Sequence, residues 1–146
     1  MLFSVIDNAL YPSYYKEVVL NNAEIQALNT TPILFLTAPG AGRKFRLDRC
    51  EFILKNDTAY AGASTAVVLN YTDAAGALFA TSADGLLLLE VDSASNSFQV
   101  VANQAISGVS NLPLVITAAN NMTLGGSDST LKVALWYTIV LTKTGL

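Results

Sequence analysis

The 146-residue sequence contains no histidine. That absence removes the commonest general base near neutral pH, the commonest metal ligand, and every catalytic arrangement built on an imidazole. A single cysteine, Cys50, rules out an internal disulfide and a cysteine-rich metal site, and its expected role is that of a small core residue. Charged side chains make up 13% of the chain, about half the usual share. Every candidate run of about 18 apolar residues is broken by Pro, Gly, Asn, Asp or Lys, so no membrane helix is expected. Met1 to Asp7 lack the basic start and long apolar stretch of a secretory signal, which predicts a protein made in a reducing cytoplasm. Repeats, linkers and low-complexity tracts are missing as well, and the length fits one domain.

What is present is apolar. Hydrophobic residues account for 52% of the chain and mean hydropathy is +0.44, which predicts surface reserved for other subunits, because a monomer rarely exposes large apolar patches. A net charge of -3 and a pI near 4.7 give no general attraction to nucleic acid. Locally the balance reverses: Arg43, Lys44, Arg46 and Arg49, four of the eight basic residues, fall within seven positions.

Periodicity points to an all-β chain with one short helix near its start. Residues 1–15 mix Phe3, Tyr11, Tyr14 and Tyr15 with breakers and read as an irregular aromatic arm ahead of a single domain, 16–146. Lys16 to Leu20 reads as a strand. Asn21 then caps a helix over Asn22 to Leu28, with Glu24 reaching back to it, and Pro32 forces the chain to extend again. Ile33 to Ala38 is almost unbroken apolar sequence, predicting a strand covered on both faces, by the core or by a neighbouring subunit. Arg43 to Lys55 alternates, but the phase slips between Phe45/Leu47 and Cys50/Phe52/Leu54, which predicts a β-bulge over Asp48 to Cys50. Ala63 to Thr72 presents Thr65, Val67, Leu69 and Tyr71 on one face. Asp73-Ala74-Ala75-Gly76 has the signature of a tight turn into Ala77 to Thr81. Leu86 to Leu89 fits either a buried strand or a helical turn. A polar loop, Asp92 to Ser97, precedes a strand over Phe98 to Ala102. Two apolar runs between Leu112 and Leu141 read as a closing strand pair, with Leu131, Val133, Leu135, Tyr137, Ile139 and Leu141 on one face of the second. Seven or eight strands so spaced predict an antiparallel sandwich or jelly roll.

Few constellations carry chemistry. Carboxylates Asp48/Glu51 and Glu90/Asp92 are close enough in sequence to suggest a glycosidase, but acids this sparse more often mark solvated positions and turns. Pro39-Gly40-Ala41-Gly42-Arg43-Lys44-Phe45 fails as a phosphate loop, because only one residue separates the glycines and Phe45 replaces the metal-binding hydroxyl. The basic cluster has three readings: a guarded strand edge, a patch for an acidic partner protein, or nucleic-acid contact without interleaved aromatics. Trp136, opposite the main apolar stripe, is either a stacking platform or a ring buried under a neighbouring subunit or the arm. No cofactor or metal is expected.

Two stretches add a resemblance. Val18 to Ile33 with Ala38-Pro39-Gly40-Ala41-Gly42-Arg43, and Leu112 to Ile116 with Gly125-Gly126-Ser127-Asp128-Ser129-Thr130-Leu131-Lys132-Val133 and Tyr137, resemble the opening and close of small virion proteins of tailed bacteriophages; Tyr71-Thr72-Asp73 with Gly76 fits the middle. The resemblance implies a jelly-roll cement or decoration protein on the capsid surface, assembled in the host cytoplasm as a homotrimer and bridging copies of the major capsid protein. It supplies no catalytic residue. On that expectation the partner-binding residues are Phe3, Tyr11, Tyr14, Tyr15, Arg43, Lys44, Arg46, Arg49 and Trp136, with no direct nucleic-acid or membrane contact. The same fold would serve a carbohydrate- or receptor-binding module of a tail or fibre, for which Tyr60, Asn96, Asn120 and Asn121 are the candidates.

Overall fold

A computed structural model describes residues 12–56, 58–62, 66–82 and 111–142, together with the backbone of 95–98. Phe3, Tyr11, the Leu86–Leu89 run and the Glu90/Asp92 pair lie outside the described residues. The chain is an all-β antiparallel sandwich. One sheet, A, runs in the order β1 (Ser13–Asn21), β10 (Thr130–Leu141), β3 (Arg43–Lys55), β7 (Ser95–Phe98). The other, B, runs β2 (Ile33–Leu36), β8 (Leu114–Ala118), β5 (Val67–Tyr71), β6 (Leu78–Thr81). A two-residue pair, β4 (Tyr60–Ala61) with β9 (Thr123–Leu124), stands apart from both.

Alternation decides what is buried. Cys50, Phe52 and Leu54 of β3 and Leu131, Val133 and Leu135 of β10 are fully shielded, and they meet Val67, Leu69, Leu114 and Ile116 of sheet B in one core. The phase slip in β3 is a bulge, as its sequence predicts. Trp136 pairs with Arg49 and Tyr137 with Leu47, so Asp48 is the extra residue and hydrophobic side chains on both sides of it face inward. The single helix, α1 (Asn22–Ala27), carries the expected capping box: Asn21 Oδ1 accepts from the Glu24 N–H at 3.0 Å, and Glu24 Oε2 accepts from the Asn21 N–H at 2.9 Å. Its Ile25, with Leu28 beyond it, enters the core.

Several expectations are corrected. The two closing runs do not pair with one another: β8 is central in sheet B and β10 in sheet A, because each carries a fully apolar inner face that only a central position covers. β1 begins at Ser13, so Tyr14 and Tyr15 belong to a strand and not to an arm. Within one chain the core covers Phe35 and Leu36 of β2, whereas Leu34 on this edge strand is 56% exposed, which leaves its cover to the neighbouring subunit that the sequence allows for. Ser95 to Ser97, expected in a loop, pair with β3.

Burial also sets the alkaline limit of this fold. Desolvation, with the Glu51 carboxylate second, pushes the Cys50 thiol from 9.0 up to about 12, and desolvation alone lifts the Tyr71 phenol from 10.0 to about 12. Both groups hold their protons more tightly folded than unfolded. Their contribution to stability is therefore complete below about pH 9 and disappears as pH climbs towards 12. The urea midpoint should fall between about pH 8 and pH 10.5, and Cys50→Ala and Tyr71→Phe should each flatten that fall. A slope equal to wild type in both variants would show that other groups carry it.

Candidate functional site

The outer face of sheet A can be read off the register, row by row across β1, β10 and β3. Ser13, Thr138 and Arg46 form one row; Tyr15, Trp136 and Arg49 the next; then Glu17, Ala134 and Glu51; then Val19, Lys132 and Ile53. The strands hold these side chains at fixed spacing on a hydrogen-bonded surface.

Trp136 is the centre. The Tyr15 ring approaches from β1, with centroids 4.8 Å apart and planes at 49°, and the Arg49 guanidinium lies over the indole from β3 at 4.9 Å. Arg49 is also ion-paired to Glu51. The Tyr15 hydroxyl donates to Glu17; that bond, with desolvation and the negative charges of Glu17 and Glu51, raises the phenol pKa. Ala134, between the two carboxylates, is covered by these larger neighbours although it points away from the core. Beside the aromatic row, the bulge aims Asp48 at three strands. Its carboxylate accepts from Ser13 Oγ at 3.2 Å and Thr138 Oγ1 at 2.7 Å and pairs with Arg46 Nε at 3.3 Å, while Arg46 Nη2 donates to Thr138 Oγ1 at 3.2 Å. The bulge is thus a polar clasp that fixes the edge strand β1 to β10 and β3.

The residues singled out in the sequence distribute unevenly over this frame. Lys44, Arg46 and Arg49 share the outer face, because the bulge swings Arg49 over; Arg43 sits at the start of β3 on the inward parity and is exposed there. β7 pairs with β3 only from Glu51 to Leu54, so among the described residues no strand pairs with Arg43 to Arg49 on the side away from β10, as the guarded-edge reading of this cluster expects. Tyr14 points opposite to Tyr15: it stacks on Tyr137 at 5.6 Å, which meets Phe45 edge-on at 5.5 Å, at the end of the core. One partner surface therefore cannot engage both tyrosines flat-on. Tyr60, expected on an exposed loop, is 1% exposed and donates its hydroxyl to Asn22 Oδ1 at 2.7 Å. Asn96 is in β7, and Asn120 and Asn121 lie in the connection between β8 and β9.

Sequence reasoning missed Glu17 and Glu51 as members of the face. Parity marks Lys132 as a neighbour of Trp136, but the partners across the sheet are set by the register, which no local signal carries. The chain matches no family model, no curated protein and no solved structure.

Proposed function

We propose that the chain is a jelly-roll structural protein that acts by adhesion, reinforcing a tailed-phage head as a trimer that bridges capsid subunits. The observation that carries the fold half of this reading is the nested order of pairing. β1 pairs with β10, β2 with β8, β3 with β7 and β5 with β6, so the chain meets itself first strand to last, as a long hairpin closing at the Asp73–Gly76 turn would. The β10–β3 and β8–β5 pairings then roll that hairpin into two sheets. Eight strands in two Greek keys are how viral shell and lectin domains of this kind are built. Fold alone does not assign function, and the virion role draws on the resemblance of residues 18–43 and 112–137 to phage virion proteins.

Assembly is supported by the apolar surface. Leu34, Leu124 and Leu141 are 56%, 60% and 62% exposed, in a chain with few charges to keep it apart from its copies. A trimer would present three weak contacts in fixed geometry, and effective concentration would make them strong together. The sugar-binding alternative loses support, because Tyr60, the one aromatic among its candidates, is buried. Gel filtration with light scattering should give three times the 15.5 kDa chain mass. A monomer at micromolar concentration would overturn the assembly reading.

A further inference from the structure

Charge is segregated between the two sheets to a degree the sequence does not display. The chain has eight basic residues. Seven of them stand in sheet A: Lys16 in β1, Arg43, Lys44, Arg46, Arg49 and Lys55 in β3, and Lys132 in β10. Sheet A also carries three acids, Glu17, Asp48 and Glu51; Lys16 and Arg43 stand on the inward parity of their strands, so the outer face holds five basic residues against these three acids, 5 - 3 = +2, in a chain whose net charge is -3. Among the described residues, the strands of sheet B contain no charged side chain.

On the outer face of sheet A the acids are already engaged. Asp48 pairs with Arg46, Glu51 with Arg49, and Glu17 accepts the Tyr15 hydroxyl. Lys44, Lys55 and Lys132 form no ion pair among the described residues. They bracket the aromatic row: Lys132 four residues along β10 from Trp136, Lys55 opposite Thr130, Lys44 opposite Val140.

We infer that the outer face of sheet A is a docking surface for an acidic protein surface, whose carboxylates would pair with Lys44, Lys55 and Lys132 around an apolar contact on Tyr15 and Trp136. This rests on the adhesive reading above and names the chemistry of its partner. Complementarity of this kind steers encounter and fixes register, while the aromatic centre supplies the contact energy. A protein fits better than a nucleic acid. Glu17 and Glu51 lie in the middle of the face, between the Arg49 row and Lys132, where they would repel a continuous phosphate backbone but leave room for individually placed carboxylates.

The test uses the full chain with two probes, poly-L-glutamate and a short DNA duplex, followed by fluorescence anisotropy. Wild-type protein should bind poly-L-glutamate at low salt and release it near about 0.15 M salt, where the screening length is about 8 Å. The triple variant Lys44→Gln, Lys55→Gln, Lys132→Gln should bind it at least about tenfold more weakly. A control with the same change in net charge elsewhere, Ala75→Glu, Asn121→Glu, Ser127→Glu, should retain most of the affinity. Equal loss in the control would reduce the effect to net charge and overturn the proposal, as would no binding by wild type. DNA binding equal to or tighter than poly-L-glutamate binding would reassign the face to nucleic acid. Light scattering separates the two readings: a trimer that ignores poly-L-glutamate sinks this inference alone, and a monomer that binds it sinks only the assembly.

Discussion

Gly76→Ala should cost the fold about 3 kcal/mol or more, although the change adds only a methyl group to an exposed turn. A Cβ at Gly76 would stand 1.6 Å from the Tyr71 carbonyl oxygen and 2.7 Å from its carbon, where real Cβ contacts essentially never fall under 3.0 Å. Nothing flexible is in the way, so the backbone itself must move. The turn cannot give easily. Asp73 Oδ1 accepts from the Ala75 N–H at 2.9 Å, the Asp73 carbonyl from the Gly76 N–H at 3.1 Å, and Asn70 Nδ2 donates to the Ala74 carbonyl at 3.0 Å. Thr72 holds a left-handed φ of 70° and donates its N–H to the Pro113 carbonyl at 2.9 Å, which ties the turn to the approach of β8. Opening the turn therefore disturbs β5, a strand with Val67 and Leu69 fully buried. Gly40→Ala is the contrast: the space is open and only the φ of +105° opposes it, so a loss of about 1 kcal/mol is expected. Urea denaturation of both variants measures the difference. A Gly76→Ala loss no larger than that of Gly40→Ala would mean that the turn relaxes freely.

What the sequence makes legible is whatever is decided within a few residues. The capping box at Asn21 and Glu24, the turn at Asp73 to Gly76, the bulge at Asp48 and the inward set of β10 all follow from spacing, because hydrogen bonding and side-chain direction there depend on near neighbours. Sheet membership is decided elsewhere. The ten-residue insert from Asn120 to Ser129 is too long to dictate a hairpin, and β8 and β10 both find better cover as centres of opposite sheets than they would find side by side. The candidate face was half visible for the same reason. Arg46, Arg49 and Trp136 can be placed on one side of their own strands, but Tyr15, Glu17 and Ser13 join them only through the β1–β10 register. Exposure misled at Tyr60, whose loop-like neighbours conceal a ring packed against Gly125, where φ is +74° and a Cβ would meet the ring at 2.4 Å.

Deleting Glu51 should abolish cooperative folding, while deleting Asp48, three residues earlier in the same strand, should leave a folded protein. Asp48 is the extra residue between two correctly phased halves, since Leu47 already faces Tyr137 and Arg49 already faces Trp136. Removing it joins Phe45, Leu47, Cys50, Phe52 and Leu54 into one strict alternation with every partner retained. The cost is the clasp: the bonds to Ser13 and Thr138 and the pair with Arg46, together about 1–3 kcal/mol on a half-exposed site. Deleting Glu51 leaves no such exit. If the bulge persists, Phe52 and Leu54, both wholly buried, turn to solvent at about 1.5–3 kcal/mol each, before any cavity or register cost. If the strand straightens to rescue them, Cys50 turns outward and Arg49 turns into the core, away from Glu51's former place and from Trp136. An unpaired guanidinium there costs as much as the exposed side chains would, and either loss approaches the whole stability of a domain this size, about 5–15 kcal/mol. Circular dichroism through a urea titration distinguishes the two variants directly. Equal midpoints for the two deletions would mean that the bulge does not set the phase of β3, and that the outer face built around Trp136 owes its arrangement to something other than Asp48.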